Sequence, residues 1–198
     1  MNIDKTYCVF GDSVTQAAYI KTSWVDMLRI YLEKKYSNDF INVFNLGVGG
    51  NTSDDVAKRF KFESIMRAPT DIIIAVGVND SGYFRTPDKP IVSEVNFDKN
   101  ITSLITEAKE FTGNITFVGL VLGDDSVLKP FPDSSQGKSY EYKRVEKYNR
   151  RAQEIAQTNS CRFIQLLEKL IPEDFLDGLH PNDQGHKKIF EEVKNIFE

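Results

Sequence analysis

Short runs of Val, Ile, Phe and Leu alternate along the chain with longer stretches in which apolar residues return every three or four positions. The short runs are Thr6 to Phe10, Ile41 to Leu46, Asp71 to Val76, Ile115 to Leu120 and Cys161 to Leu166. Their near-continuous apolar character predicts strands covered on both faces. The longer stretches predict helices. Ser23 to Tyr36 sets Trp24, Leu28, Tyr31 and Leu32 on one side. Phe97 to Phe111 carries Ile101, Leu104, Ile105 and Ala108, and Tyr140 to Thr158 carries Val145, Tyr148, Ala152, Ile155 and Ala156. Asp54 to Met66 follows Ser53, an expected N-cap, and Asp183 to Phe197 closes the chain. Five β–α alternations imply a five-stranded parallel sheet with right-handed crossovers. The expected fold is a flavodoxin-like three-layer α/β/α sandwich forming one domain over residues 1–198. In such sheets ligands bind outside the carboxyl ends of the strands. Two long connections, 81–95 and 123–139, leave such ends and are expected to border a ligand site. Tyr83 and Phe84 in the first, and Phe131 in the second, are candidate substrate-binding residues.

Composition narrows the class. The 198 residues are 40% apolar and 27% charged, ordinary for a globular chain. A formal charge of -4 argues against non-specific nucleic-acid binding, which needs a basic face. The longest apolar run, Ile72 to Val78, is too short to span a bilayer as a helix. The start, Met1-Asn2-Ile3-Asp4-Lys5, has no basic segment followed by an apolar one, so the chain as given reads as cytoplasmic. Cys8 and Cys161 fall in predicted strands outside any C-x-x-C pair, and read as buried, reduced thiols.

The small and polar residues collect at strand ends. The first strand runs into Gly11-Asp12-Ser13, the second into Gly47-Val48-Gly49-Gly50-Asn51-Thr52, and the third into Gly77-Val78-Asn79-Asp80. Asp177-Gly178-Leu179-His180-Pro181-Asn182 precedes the last helix. The first three meet on one edge of the sheet, and the fourth can reach it because it follows the fifth strand. Acyl transfer needs these groups. A serine hydroxyl is a poor nucleophile until a base takes its proton. An imidazole suits that task near neutral pH and needs a partner to fix its tautomer. Developing negative charge needs aimed donors. Ser13, His180 and Asp177 are the candidates for nucleophile, base and orienting acid; Gly50 and Asn79 are candidate donors. Singly, each motif has a plainer reading. Gly-Asp-Ser can be a turn with a helix cap, Asn79-Asp80 is a common turn pair, and Gly47 to Thr52 can be a tight strand-to-helix turn. Turns alone explain their joint occurrence poorly.

The chain resembles the GDSL, or SGNH, hydrolase superfamily from Tyr7 to the final helix. The resemblance is carried by Val9 to Thr15, Asn45 to Ser53, Asp71 to Asp80, Tyr148-Asn149 through Leu166, and Asp177 to Asn182 continued by Gly185-His186. It implies a catalytic triad of Ser13 as nucleophile, His180 as base and Asp177 as orienting acid. It also implies an oxyanion hole from the Ser13 and Gly50 N–H groups and the Asn79 amide. Val14 replaces the Leu of the name motif, Val78 sits where Thr or Gly is frequent, and Gln165 where Asp is; none is a catalytic position.

Other residues read more plainly. Asp12 is expected to hold the local loop rather than serve as the triad acid. His186, beside Lys187 and Lys188, is expected to face solvent. His180 and His186 with Asp177 or Asp183 lack metal-ligand spacing, so neither metal nor cofactor is expected. Gly47-x-Gly49 is an incomplete dinucleotide fingerprint. Lys138, Lys143, Arg144, Lys147, Arg150 and Arg151, interleaved with Glu141, Glu146 and Glu154, read as a solvated face. The function expected is a serine esterase whose partner is a small-molecule acyl ester, short-chain and acetyl-carbohydrate among the candidates. Two alternatives remain open: an O-acyltransferase using the same acyl-enzyme, and a flavodoxin-like nucleotide-binding module whose glycine-rich turn cradles phosphate.

Overall fold

All five apolar runs become parallel strands of one sheet in the computed structural model, which describes residues 4–86, 89–132 and 134–198. In chain order the elements are β1 (Asp4–Gly11), a single turn α1 (Ser13–Gln16), α2 (Trp24–Lys35), β2 (Phe40–Gly47), α3 (Ser53–Ile65) and β3 (Asp71–Ala75). Then come α4 (Val78–Ser81), β4 (Tyr83–Phe84), α5 (Glu94–Ala108), β5 (Ile115–Val118) and β6 (Lys138–Ser139). The chain ends with α6 (Tyr142–Thr158), β7 (Arg162–Ile164) and α7 (Asp183–Lys194). The sheet order is β2-β1-β3-β5-β7, the doubly wound order in which the chain reverses direction across the sheet beside β1. Residues 87 and 88 of the first long connection, 133 of the second and 1–3 of the N-terminus lie outside the described residues.

The period-two alternation of the strands builds the two halves of the core. Cys8, Phe10, Ile72, Ile74 and Phe117 face α3, α5 and α6, packing on Val56, Phe60, Phe97, Ile101, Val145 and Tyr148. Tyr7, Val9, Ile73 and Val118 face the other way, onto Trp24, Leu28, Leu32, Ile189 and Val193 of α2 and α7. The result is the three-layer sandwich the pattern implied.

Several boundaries move for physical reasons. Ser93 caps α5, its Oγ accepting from the Asn96 N–H at 3.3 Å, so that helix begins three residues before Phe97. The stretch before α6 is spent on pairing β6 with β4, antiparallel, with Tyr83 opposite Ser139 and Phe84 opposite Lys138. The N-cap of α3 is Thr52, not Ser53. Ser53 is the first helical residue and is fully buried, donating its N–H to Asp80 at 3.0 Å. β7 pairs with β5 over three residues only, so Cys161 sits just ahead of it and is half-buried rather than buried; Cys8 is buried, and both thiols are free.

Candidate active site

β1, β2 and β3 deliver the three strand-end motifs to one edge. At the end of β1, Asp12 caps α1: its Oδ1 accepts from the Val14 N–H at 3.0 Å, the loop-holding task expected of it. Ser13 is the first residue of that turn, where the N–H has no intrahelical acceptor. The turn after β2 is tied to α1. A Cβ on Gly47 would lie 2.2 Å from the Gln16 nitrogen, so only glycine allows this approach. Gln16 Oε1 accepts from the Gly49 N–H at 2.9 Å, and Asn45 Nδ2 donates to Thr15 O at 2.7 Å. Arg59 of α3 fastens the same region, donating to Asn51 Oδ1 at 3.0 Å and to Gly11 O at 3.1 Å.

The turn between Phe175 and α7 brings the fourth motif to Ser13. His180 Nε2 lies 3.0 Å from Ser13 Oγ, and His180 Nδ1 lies 2.7 Å from Asp177 Oδ2. Asp177 Oδ1 also accepts from the N–H groups of His180 at 2.7 Å and Leu179 at 2.9 Å. A carboxylate only accepts, so Nδ1 carries the ring proton and Nε2 is free to take the one on Ser13. Burial alone would raise the Asp177 carboxyl; the bonds from the His180 ring and from the two backbone N–H groups outweigh it and hold the group below the ordinary carboxylate range. The arrangement can deprotonate a serine hydroxyl and hold the resulting imidazolium.

Donors converge beside it. Within 47–53 the N–H groups of Gly47, Val48, Gly49, Asn51, Thr52 and Ser53 are taken by Asn45, Gly11, Gln16, Val48, Asp55 and Asp80. Gly50, at φ +78°, is the one residue of that turn whose N–H meets no acceptor among the described residues. A turn so committed to its own framework offers no cradle of amides to a phosphate. Asn79, on α4, is 3% exposed; its Nδ2 donates to Asn51 O at 3.1 Å while its Oδ1 accepts from Tyr140 Oη at 2.9 Å and Lys138 Nζ at 3.0 Å.

A cleft of about 320 Å³ opens over these groups, lined by Ser13, Gly49, Gly50, Asn79, His180, Phe131, Ser134, Lys138, Tyr140 and Leu179. Phe131 sits with its ring 5.9 Å from that of His180. The structure places Tyr83 and Phe84 apart from this cleft. Tyr83 is buried, with its hydroxyl donated to Glu141 at 3.1 Å and its ring beneath the Arg144 guanidinium; Phe84 stands exposed on β4. Among the described residues no group of three His, Cys, Asp or Glu could hold a metal ion, and no helix is long and apolar enough to cross a membrane.

Three residues of this region carry no sequence signal that points to the site. Lys138 belongs to the basic run whose pattern reads as a solvated face, yet it turns into the cleft. Tyr140 reads as the start of a helix, yet α6 begins at Tyr142 and the Tyr140 hydroxyl reaches Asn79. Tyr19 carries no motif, but its ring lies 5.0 Å from that of His180. His186 contradicts the expectation of a solvent-facing residue. It is fully buried, with Nδ1 accepting from the Trp24 N–H at 3.3 Å and Nε2 3.1 Å from Tyr19 Oη. The helix α7 packs on α2 with that face, which the flanking lysines concealed. Burial pushes the His186 imidazole down to about 4.

The chain matches a known family and the fold of solved structures. Residues 9–188 match the model of the GDSL-like Lipase/Acylhydrolase family. An acetylxylan esterase of Geobacillus stearothermophilus is 24% identical over 200 aligned positions, covering 89% of this chain and 86% of that protein. Its solved structure superposes with a TM-score of 0.76 at 21% identity, covering 98% and 95% of the two chains. In that esterase, alanine replacements of a serine, an aspartate and a histidine are each described as catalytic mutants. An α/β hydrolase from the metagenome of Lake Arreo superposes with a TM-score of 0.77 at 17% identity, covering 98% and 95%.

Proposed function

The chain belongs to the GDSL-like lipase/acylhydrolase family and is a carboxylic ester hydrolase, and we propose that it works as a serine esterase through Ser13, His180 and Asp177. Ser13 Oγ attacks the ester carbonyl carbon as its proton passes to His180 Nε2. Asp177 keeps the proton on Nδ1 and offsets the charge of the imidazolium. The developing oxyanion takes hydrogen bonds from the Ser13 and Gly50 N–H groups and from Asn79 Nδ2. The tetrahedral intermediate then collapses, His180 protonates the leaving alkoxide, and the acyl group stays on Ser13. Water repeats the sequence, with His180 again as base, and releases the acid.

The observation that carries this reading is the continuous chain from Ser13 Oγ to His180 at 3.0 Å and from His180 to Asp177 at 2.7 Å. Its test is intact-mass analysis after incubation with a serine-directed fluorophosphonate. One adduct is expected on the wild type and none on Ser13→Ala; a folded wild type that stays unlabelled overturns the assignment.

The substrate that fits best is a short acyl ester of a carbohydrate. The cleft is small, its walls Phe131, Tyr140 and Leu179 stand close to Ser13, and the exposed ring of Tyr19 beside His180 offers a face for a sugar's C–H groups. The acetylxylan esterase relative supports the same choice. Among p-nitrophenyl esters kcat/KM is expected to be highest for acetate and to fall with chain length.

A further inference from the structure

We propose that Lys138 and Tyr140 are positioning residues that lock the Asn79 amide with its N–H toward the reacting oxygen, and that the Lys138 ammonium polarises that amide. The inference rests on the reading of Asn79 as an oxyanion donor and adds what makes it one. An asparagine amide can turn over, exchanging donor for acceptor, at little steric cost. Here both ends are fixed. Lys138 Nζ, 3.0 Å from Oδ1, carries donors and no acceptor, so only the carbonyl oxygen of Asn79 can face it. The Asn51 carbonyl, 3.1 Å from Nδ2, only accepts, so only the amino group can face it. Tyr140 Oη adds a second donor to Oδ1 at 2.9 Å, from a side chain 2% exposed. One Nδ2 proton then points to Asn51, and the other is left for the cleft that Asn79 lines with Ser13, Gly50 and His180.

The charge of Lys138 is spent on this amide. Of the other members of the same basic run, Arg144, Lys147 and Arg151 pair with Glu141, Glu94 and Asp98, while Lys143 and Arg150 carry no ion pair among the described residues. Lys138 makes no such ion pair among the described residues. Burial draws its ammonium below the ordinary lysine range, against the pull of Asp12, Asp80 and Asp55. A cation held against an amide oxygen draws electron density from the nitrogen and strengthens the N–H as a donor, in the way linked hydrogen bonds reinforce one another. That benefit grows as negative charge develops on the substrate oxygen, so it acts on the transition state more than on the bound ester.

Steady-state hydrolysis of p-nitrophenyl acetate tests the proposal with the variants N79A, K138M, K138Q, Y140F and N79A/K138M, each checked for its melting transition. K138M is expected to lose about ten- to hundredfold in kcat with KM within about twofold. Y140F is expected to lose about three- to tenfold in kcat. K138Q, which keeps a donor without the charge, falls between wild type and K138M. The double variant is no slower than N79A alone, because Lys138 acts through Asn79. Wild-type turnover in K138M and Y140F, a loss confined to KM, or losses that multiply in the double variant overturn the inference while leaving the Asn79 reading intact. Wild-type turnover in N79A overturns the Asn79 reading itself.

Discussion

Asp177 divides its two oxygens between different tasks, and that division fixes the tautomer of His180. Oδ1 is held by the N–H groups of His180 and Leu179, so whatever stands at that position must accept there. Oδ2 accepts the Nδ1 proton. In Asp177→Asn the side-chain oxygen has to stay on the two backbone donors, which turns the NH₂ toward Nδ1. The ring proton then moves to Nε2, and Nε2 can no longer receive one from Ser13. The fold is untouched, because the backbone bonds remain. A drop in kcat of roughly 10⁴-fold is expected, the size seen when a triad histidine is held in the wrong tautomer, with little change in melting temperature. Hydrolysis of p-nitrophenyl acetate near pH 8, measured beside a thermal melt, checks both halves. Turnover close to wild type would remove Asp177 from the mechanism.

At the scale of elements, Asn182 joins the His180 turn to its helix. Its Oδ1 accepts from the Gln184 and Gly185 N–H groups at 2.9 and 3.1 Å, and its Nδ2 donates to Glu173 O at 2.7 Å. The turn itself has other anchors, from Leu176 N–H to His180 O and through Asp177. Asn182→Ala is therefore expected to cost about 1 kcal/mol of stability, as an N-cap does, and to leave kcat unchanged; urea unfolding and steady-state kinetics separate the two. The same distinction between local and distant interactions explains what the sequence revealed. The strands and the four motifs are legible because their signals are local: alternation of apolar residues, glycine at a close approach such as Gly47, an acid three residues from a histidine. Lys138 and Tyr140 are not, because their partner Asn79 is 59 and 61 positions away. Their place depends on the pairing of β4 with β6, two residues on each strand, too short to leave a periodic trace. Loop position alone points Tyr83 and Phe84 to the substrate; pairing with β6 and the hydroxyl of Tyr83 on Glu141 hold them apart from the cleft.

Across the whole molecule, burying ionisable groups at the carboxyl edge of the sheet sets opposing responses to pH. Burial raises the Asp12 carboxyl to about 7, against the Val14 N–H, and that of Asp80 to about 6, against Ser53. Such groups bind protons in the folded state before the unfolded one does, so acidification favours folding through them. His186 acts the other way. Burial lowers it from an ordinary 6.5 to about 4, despite the opposite pull of Asp183 and Asp26. Between those values the unfolded chain binds a proton that the folded one refuses, so its contribution is complete above pH 6.5 and is lost as the pH falls toward 4. In the wild type the two effects partly cancel, which is why the comparison has to be made against a variant. His186→Gln loses the neutral imidazole that accepts from Trp24 N–H and supports Tyr19 beside His180, so it is less stable at pH 8. It has no histidine left to protonate at that site, whereas the wild type is penalised there on acidification. The stability gap between the two proteins is therefore expected to narrow by roughly 2–3 kcal/mol between pH 8 and pH 4.5. Paired urea titrations at the two pH values measure that gap. A gap that stays constant would mean that His186 titrates alike in the folded and unfolded chains, and the buried neutral imidazole behind the Tyr19 wall would have to be abandoned.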